Sequence, residues 1–215
     1  MRIIGGRHRG LTLADPGKGD PAAHLRPTAD RVREAVFSML TAGRFGNRVE
    51  GAHVLDLFAG TGAMGLEALS RGAVHAAFVD RGRKALSLIH ENLRRAGRAG
   101  DAQVLGVDAT RLPPWTGAPF DLLFLDPPHR QALGEAALAS ALAGGWLAPG
   151  AIIVWEEAAP VSLPPGVTLA DQRRHGASVL TTLLYEPDSP ATSSGNADQS
   201  SKENAPGKSS SPPRR

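Results

Sequence analysis

From residue 52 onward the chain alternates between short apolar runs and amphipathic stretches. The apolar runs are AHVLDLF, HAAFVD, AQVLGVD, DLLFLD and AIIVWEE, and helices are expected at about residues 62–71, 83–96 and 130–142. Near-continuous apolar strands separated by helices are typical of a parallel sheet that is covered on both faces. The alternation therefore predicts an α/β fold with a Rossmann-like sheet.

Two further runs, VTLADQRRH and SVLTTLLYE, stand too close together for a helical crossover between them. We expect an antiparallel pair at the edge of the sheet, because antiparallel neighbours need only a tight turn. The predicted sheet is thus mostly parallel, with an antiparallel last strand.

The first 50 residues follow a different pattern. Residues 2–13, RIIGGRHRGLTL, predict two short strands around a glycine-rich turn, and residues 14–27 predict a Pro/Gly-rich linker. A helix is expected from about Thr28, whose hydroxyl can cap it, to Ala42. The helical period selects an apolar face of Val32, Ala35, Val36, Met39 and Leu40.

The end of the chain differs again in composition. Residues 187–215 contain eight serines, five prolines and no apolar residue larger than alanine, so they cannot bury enough surface to fold. We predict a disordered tail there. The expected division is an N-terminal extension at 1–50, an α/β domain at 51–186 and a tail at 187–215.

The whole composition limits the chemistry. The chain has no cysteine, which excludes disulfides and cysteine nucleophiles, and no apolar stretch long enough to cross a membrane. We expect a cytoplasmic monomer that needs no metal ion.

Candidate functional residues stand at the carboxyl ends of the strands, where open α/β sheets bind their ligands. The first strand leads into DLFAGTGAMG, and the next three end in Asp80, in Asp108 and in Asp126-Pro-Pro-His. GTGAMG matches the G-x-G-x-x-G pattern, and Asp80 lies 20 residues after Gly60, where an acid can bind ribose hydroxyls. An NAD(P)-dependent oxidoreductase is therefore one interpretation.

Two acids favour a different ligand. Asp56 lies four residues before Gly60, where a pyrophosphate needs no negative group but the ammonium of an amino acid does. Asp108 adds a polar strand end that suits the exocyclic amine of an adenine.

These motifs resemble those of a known family. DLFAGTGAMGLEAL, Asp80, Asp108 and DPPH resemble the motifs of class I S-adenosylmethionine-dependent methyltransferases. Together with MRIIGGRHRG and LRPTADRVREAVFSML, they are similar to the bacterial 16S rRNA guanine-N2 methyltransferases, over about residues 1–186. The resemblance implies methylation of a guanine-966-type position in 16S rRNA, within an assembled or assembling small subunit.

The resemblance also implies a cofactor, S-adenosylmethionine, and a set of residues that hold it. Asp56 and residues 60–62 would bind the methionine moiety, Asp80 the ribose, and Asp108 with Ala109 the adenine. The expected cofactor-binding set is Asp56, Phe58, Gly60, Thr61, Gly62, Asp80, Asp108 and Ala109.

The Asp-Pro-Pro-His corner suits methylation of an exocyclic amine. The lone pair of such an amine is delocalised into the base, so acceptors aimed at its two N–H groups favour the pyramidal, nucleophilic form. Asp126 offers a carboxylate and Pro127 a carbonyl, Pro128 helps to fix both, and the flat ring of His129 can stack on the base. The motif alone leaves adenine N6, cytosine N4 and guanine N2 open.

The N-terminal extension is basic, with seven basic and three acidic residues among residues 1–33. Arginine binds phosphates in bidentate fashion and stacks on bases, so this excess predicts RNA binding. A non-catalytic RNA-binding module remains a further interpretation. The expected RNA-binding residues are Arg2, Arg7, Arg9, Arg26, Arg31 and Arg33.

Overall fold

The computed structural model describes residues 1–14, 30–128, 133–157, 161–175 and 178–187. Within these residues, seven strands form one sheet in the order β3-β2-β1-β4-β5-β7-β6. The strands are β1 (His53–Leu57), β2 (His75–Val79), β3 (Ala102–Leu105), β4 (Phe120–Leu125), β5 (Leu147–Glu157), β6 (Val167–His175) and β7 (Ser178–Tyr185).

The first five strands pair in parallel, while β7 runs antiparallel to both β5 and β6. The prediction of a mostly parallel sheet with an antiparallel pair at one edge is confirmed. The last strand in sequence, β7, lies inside the sheet, and β6 forms the edge. This inserted antiparallel strand separates the fold from the 3-2-1-4-5-6 order that is usual for dinucleotide-binding enzymes.

Four helices cover the described sheet: α1 (Asp30–Ala42), α2 (Ala63–Ser70), α3 (Arg83–Arg95) and α4 (Leu133–Ala143). Helices α1, α2 and α3 pack in one apolar cluster and α4 in another, so both faces of the sheet are covered. None of these helices combines the length and apolar character that crossing a bilayer requires.

The N-terminal extension joins the sheet's own core. Residues 1–14, which we call the N-terminal hairpin, fold back on themselves, but the two predicted strands reduce to one antiparallel bridge between Arg2 and Thr12. Ile3 and Leu13 are buried in the same cluster as α1 and α2. The predicted linker beyond residue 14, the cap at Thr28 and the tail beyond residue 187 lie outside the described residues.

Candidate functional site

The sheet reverses its winding between β1 and β4, and the crevice beyond their carboxyl ends is the usual ligand site of such sheets. Leu57 at the end of β1 pairs with Val79 of β2 on one side and Leu125 of β4 on the other. The next residues along these strands are Asp80 and Asp126. The register therefore brings two of the predicted acids to opposite sides of the β1 end.

The loop after β1 has an unusual backbone. Phe58 (φ 58°) is the one non-glycine residue with positive φ in the described chain, and Gly60 and Gly62 also adopt left-handed conformations. Such strain costs about 1–3 kcal/mol in a non-glycine residue and persists only where the surroundings hold it. The loop is held by Gly60 N–H, which donates to Asp80 Oδ2 at 2.9 Å, and Gly62 N–H, which donates to Ala59 O at 2.7 Å.

Asp56 is the buried acid of the site. Only 4% of its surface is exposed, and its Oδ2 accepts the N–H of Gly65 at 2.9 Å. Burial raises the pKa of Asp56 to about 8, with smaller raising effects from the charges of Asp126 and Asp80 and an opposing effect of the Gly65 hydrogen bond. The carboxyl is thus protonated at neutral pH until a positive group arrives beside it.

Gly65 is the residue that permits this contact. A Cβ at this position would lie 2.4 Å from Cε1 of Phe78, which has no space to withdraw inside the core. The glycine lets the first turn of α2 approach β1 and β2 closely, and its amide therefore reaches Asp56.

Asp80 holds the glycine loop and remains partly exposed to the crevice. Its Oδ2 accepts the Gly60 N–H, and its Oδ1 accepts the Gly82 N–H at 2.7 Å. Each carboxylate oxygen has a second lone pair, so both oxygens can still accept a hydroxyl of a ligand.

Asp108 lies at the third strand end, where its side chain caps a short turn. Its Oδ1 accepts hydrogen bonds from the N–H of Thr110 at 2.9 Å and from the Thr110 hydroxyl at 2.8 Å. Its Oδ2 accepts a hydrogen bond from Nη1 of Arg81 at 3.2 Å. The Thr110 amide and hydroxyl, followed by Arg81, lower the pKa of Asp108. Ala109, the first residue of this turn, is buried. Arg81 was not among the predicted site residues.

The Asp-Pro-Pro corner follows β4 directly. Asp126 is half-buried, Pro127 is buried and Pro128 is exposed. The register pairs Asp56 with Phe124, two residues before Asp126, so the two acids lie near the same end of β1 and β4, and the charge of Asp126 helps to raise the pKa of Asp56. His129 and Arg26 lie outside the described residues.

Asn92, like Arg81, was not among the residues that the sequence predicted for the site. Asn92 of α3 is fully buried, and its Nδ2 donates to the carbonyl of Thr61 at 3.0 Å. Its Oδ1 accepts the N–H of Ala14 at 2.7 Å, so Asn92 joins the glycine loop to the end of the N-terminal hairpin. The available signal was a polar residue on the otherwise apolar face of α3, which comprises Ala85, Leu88, Ile89 and Leu93.

The predicted RNA-binding arginines divide into two groups. Arg2, Arg7, Arg9 and Arg31 are exposed. The prediction that Arg33 binds RNA is wrong, because its side chain is fully buried and pairs with Asp30 at 2.9 Å and with Glu67 at 3.6 Å.

Comparison with known proteins identifies several relatives. Residues 1–184 match the family described as "Conserved hypothetical protein 95". "Ribosomal RNA small subunit methyltransferase D" of Escherichia coli K12 is 38% identical over 164 residues, which cover 76% of this chain and 78% of the relative. The protein of the same name from Haemophilus influenzae is 31% identical over 191 residues, which cover 86% and 93%.

Solved structures agree with these sequence matches. A proposed methyltransferase of Escherichia coli, yhhF, superposes with a TM-score of 0.72 at 35% identity, covering 86% of this chain and 98% of its own. A hypothetical protein of Thermus thermophilus superposes with a TM-score of 0.63 at 32% identity, covering 86% and 99%.

Proposed function

This chain belongs to the bacterial 16S rRNA methyltransferase family that matches residues 1–184, and we propose that it methylates the N2 amine of a guanine in 16S rRNA. The observation that carries the proposal is that Asp56, Asp80 and Asp126 lie together at the carboxyl ends of β1, β2 and β4, where the sheet reverses its winding. The choice of guanine N2 over adenine N6 and cytosine N4 rests on the family resemblance.

The residues of the crevice suit S-adenosylmethionine, which carries an ammonium and a sulfonium. Among the described residues, no basic side chain forms a salt bridge with Asp56 or Asp80, so neither acid brings a cation to a pyrophosphate. The charge of Asp80 would attract a cation, and Asp56 becomes a carboxylate when an ammonium lies beside it. When bound, the cofactor supplies a methyl group on a positively charged sulfur. Asp56 and the glycine loop would hold its amino-acid end, Asp80 the ribose hydroxyls, and Asp108 with Ala109 the adenine.

The remaining groups of the corner would act on the base. Asp126 and the Pro127 carbonyl would accept the two N–H groups of the target amine and hold its lone pair toward the methyl group. Neither group has to move during the reaction, because the end of β4 and the two prolines fix both acceptors. We also propose, from the sequence, that His129 stacks on the base.

The proposed substrate is 16S rRNA within an assembled or assembling small subunit, and the proposed acting form is a cytoplasmic monomer. The exposed arginines Arg2, Arg7, Arg9 and Arg31 support RNA binding, since they present positive charge on the N-terminal extension.

Labelled methyl transfer tests the proposal. The protein is incubated with methyl-labelled S-adenosylmethionine and small subunits from cells that lack the endogenous enzyme, and the rRNA is digested to nucleosides for mass spectrometry. We expect label in one N2-methylguanosine. Label in N6-methyladenosine would exclude the guanine proposal, and NAD binding without methyl transfer would favour the oxidoreductase.

The ribose contact predicts a specific loss of cofactor affinity. Asp80→Ala should weaken S-adenosylmethionine binding by about 1.5–3 kcal/mol, the range for losing hydrogen bonds to a charged group. Calorimetry measures the change, and Asp171→Ala on the edge strand β6 is the control, with unchanged affinity expected. An unchanged affinity of the Asp80 variant would remove this residue from the site.

The raised pKa of Asp56, about 8, predicts that cofactor binding releases a proton. At pH 6.5 the free protein holds a proton on Asp56, and an ammonium beside it favours the carboxylate. Affinity should therefore rise between pH 6 and 8, and calorimetry in buffers of different ionisation enthalpy should detect release of up to one proton. Asp56→Asn should abolish the release, and proton uptake by the native protein would contradict the assignment.

The same pKa has a consequence for the stability of the free protein. In the unfolded chain an aspartate loses its proton near pH 4, whereas folded Asp56 keeps it up to about pH 8. Between these values the folded state binds the extra proton, so this group makes the free protein less stable as the pH rises.

A further inference from the structure

The C-terminal end of α3 and the turn after it carry three arginines that the proposed function does not use: Arg94, Arg95 and Arg98. We propose that this helix end and the turn of the N-terminal hairpin form one surface that binds the phosphate backbone of structured RNA. This α3–hairpin surface is defined by Arg7, Arg9, Arg94 and Arg95. The inference rests on the proposed function, since it takes RNA as the partner.

The two basic segments are far apart in sequence but adjacent in the structure. Nη1 of Arg95 donates to the carbonyl of Thr12 in the hairpin at 3.3 Å. Arg7 and Arg98 line one open groove of about 400 Å³, together with Ser70, Val74 and the acidic Asp101. The hairpin turn and the end of α3 therefore adjoin each other, while the guanidinium of Arg98 is itself held by Asp101 and by the carbonyls of Leu69 and Ala73.

The positive charge of this surface is only partly neutralised. Glu91 pairs with Arg95 and Asp101 with Arg98, but no salt bridge within the described chain involves Arg7, Arg9 or Arg94. His8 lies in the hairpin turn between these charges: burial lowers its pKa most, and the charges of Arg98 and Arg7 lower it further. A polyanion such as RNA is the partner that this charge suits.

The position of the surface indicates which part of the substrate would bind it. The Arg7 N–H donates to the carbonyl of Ser70 at the C-terminal end of α2, whereas the glycine loop lies at the other end of that helix. Eight residues of helix separate the two by about 12 Å. The surface would therefore contact RNA beyond the target nucleotide.

Arginines at a helix C-terminus also have a purely structural explanation, because they stabilise the helix dipole. That explanation accounts for Arg94 and Arg95 on α3 alone. It does not require the hairpin arginines beside them, and it predicts a change in stability without any change in RNA binding.

A charge-matched pair of variants separates the two explanations. Arg94→Ala/Arg95→Ala in the full chain removes two arginines from the surface, one of them salt-bridged. Arg173→Ala/Arg174→Ala removes two from β6 at the opposite edge of the sheet, again with one salt-bridged. Binding to small subunits is measured from low to high salt, along with cofactor affinity and turnover at saturating substrate.

The α3 variant should bind small subunits more weakly than the native protein. The slope of the logarithm of its binding constant against the logarithm of the salt concentration should be shallower by about 1.4–1.8, which is 0.7–0.9 for each of two lost phosphate contacts. The β6 variant should match the native slope, as should Arg94→Lys/Arg95→Lys. Cofactor affinity and saturated turnover should stay unchanged in all three.

An unchanged slope in the α3 variant would contradict RNA binding by the α3–hairpin surface. An equal loss of slope in the β6 variant would contradict it as well. Either result leaves the proposed function intact if the native protein still methylates the subunit. Failure of the native protein to methylate any 16S rRNA would instead defeat the proposed function, and the slopes would still report on the surface.

Discussion

Asp126→Asn should lower the rate of methyl transfer at saturating substrates by about 10²–10³-fold, as expected for losing one preorganised partner of the transition state. Asparagine keeps one acceptor oxygen but loses the charge, and its amide donors oppose the N–H groups of the target amine. Single-turnover transfer measures the chemical step directly. Cofactor affinity should persist, because the side chain is assigned to the base.

The Asp126→Asn variant should also change the pH dependence of cofactor binding. The charge of Asp126 contributes to the raised pKa of Asp56, so its removal should lower that pKa. The pH dependence of S-adenosylmethionine binding should then shift toward lower pH. The same shift is expected if the Asp-Pro-Pro corner is only a structural turn. The rate of methyl transfer therefore decides whether Asp126 is catalytic.

Asp121→Asn is the matched control for this experiment. Asp121 lies at the opposite end of the same strand, where its Oδ2 accepts the N–H of His53 at 2.9 Å. Its replacement should leave turnover nearly unchanged. If Asp126→Asn also retains nearly full turnover, the Asp-Pro-Pro corner is a structural turn and the proposed mechanism is wrong.

The sheet and the polar strand ends could be predicted because both depend on local patterns. An apolar run that ends at a glycine or an acid marks the end of a buried strand, and parallel strands bring such ends to one edge. The short gap before β7 likewise predicted an antiparallel pair. The insertion of β7 between β5 and β6 could not be predicted, since strand order depends on contacts across the sheet.

The error at Arg33 arose from choosing the wrong helical face. The predicted apolar face included Val32 and Met39, whereas the buried residues of α1 are Arg33, Val36, Phe37 and Leu40. Both sets have the helical period, and they differ by a rotation of about one residue. An arginine on the expected polar side was counted as an RNA-binding residue, because nothing local indicated a buried partner.

The residues that were missed share one property, which is a partner distant in sequence. Asn92 contacts Thr61 and Ala14, and Glu67 contacts the backbone of Ile4 and Gly5. A buried polar side chain becomes interpretable only when its partner is known, and periodicity gives no information on that partner. The left-handed backbone of Phe58 could not be predicted either, because contacts with the surrounding structure hold this conformation.

The largest loss of stability should follow from Glu67→Ala, which we expect to lower the free energy of unfolding by about 3–5 kcal/mol. Glu67 is fully buried, and its carboxylate accepts the N–H groups of Ile4 and Gly5 at 2.8 Å and Nε of Arg71 at 2.7 Å. Its removal takes away the buried carboxylate 3.6 Å from Nε of Arg33, and among the described residues Nε and Nη1 of Arg33 have no hydrogen-bond partner that could replace it. Urea denaturation measures the loss.

Glu91→Ala is the matched control, because Glu91 and Arg95 form the same i,i+4 pair on α3 at a partly exposed site. Such surface pairs contribute about 0–1 kcal/mol. A second test replaces both buried partners: Glu67→Leu/Arg33→Met should be less destabilised than Glu67→Ala, because it leaves no unpaired charge in the core. Equal losses for Glu67→Ala and Glu91→Ala would contradict the buried pair. A loss confined to Glu67→Ala would identify this carboxylate as the group that attaches the N-terminal hairpin and α1 to α2.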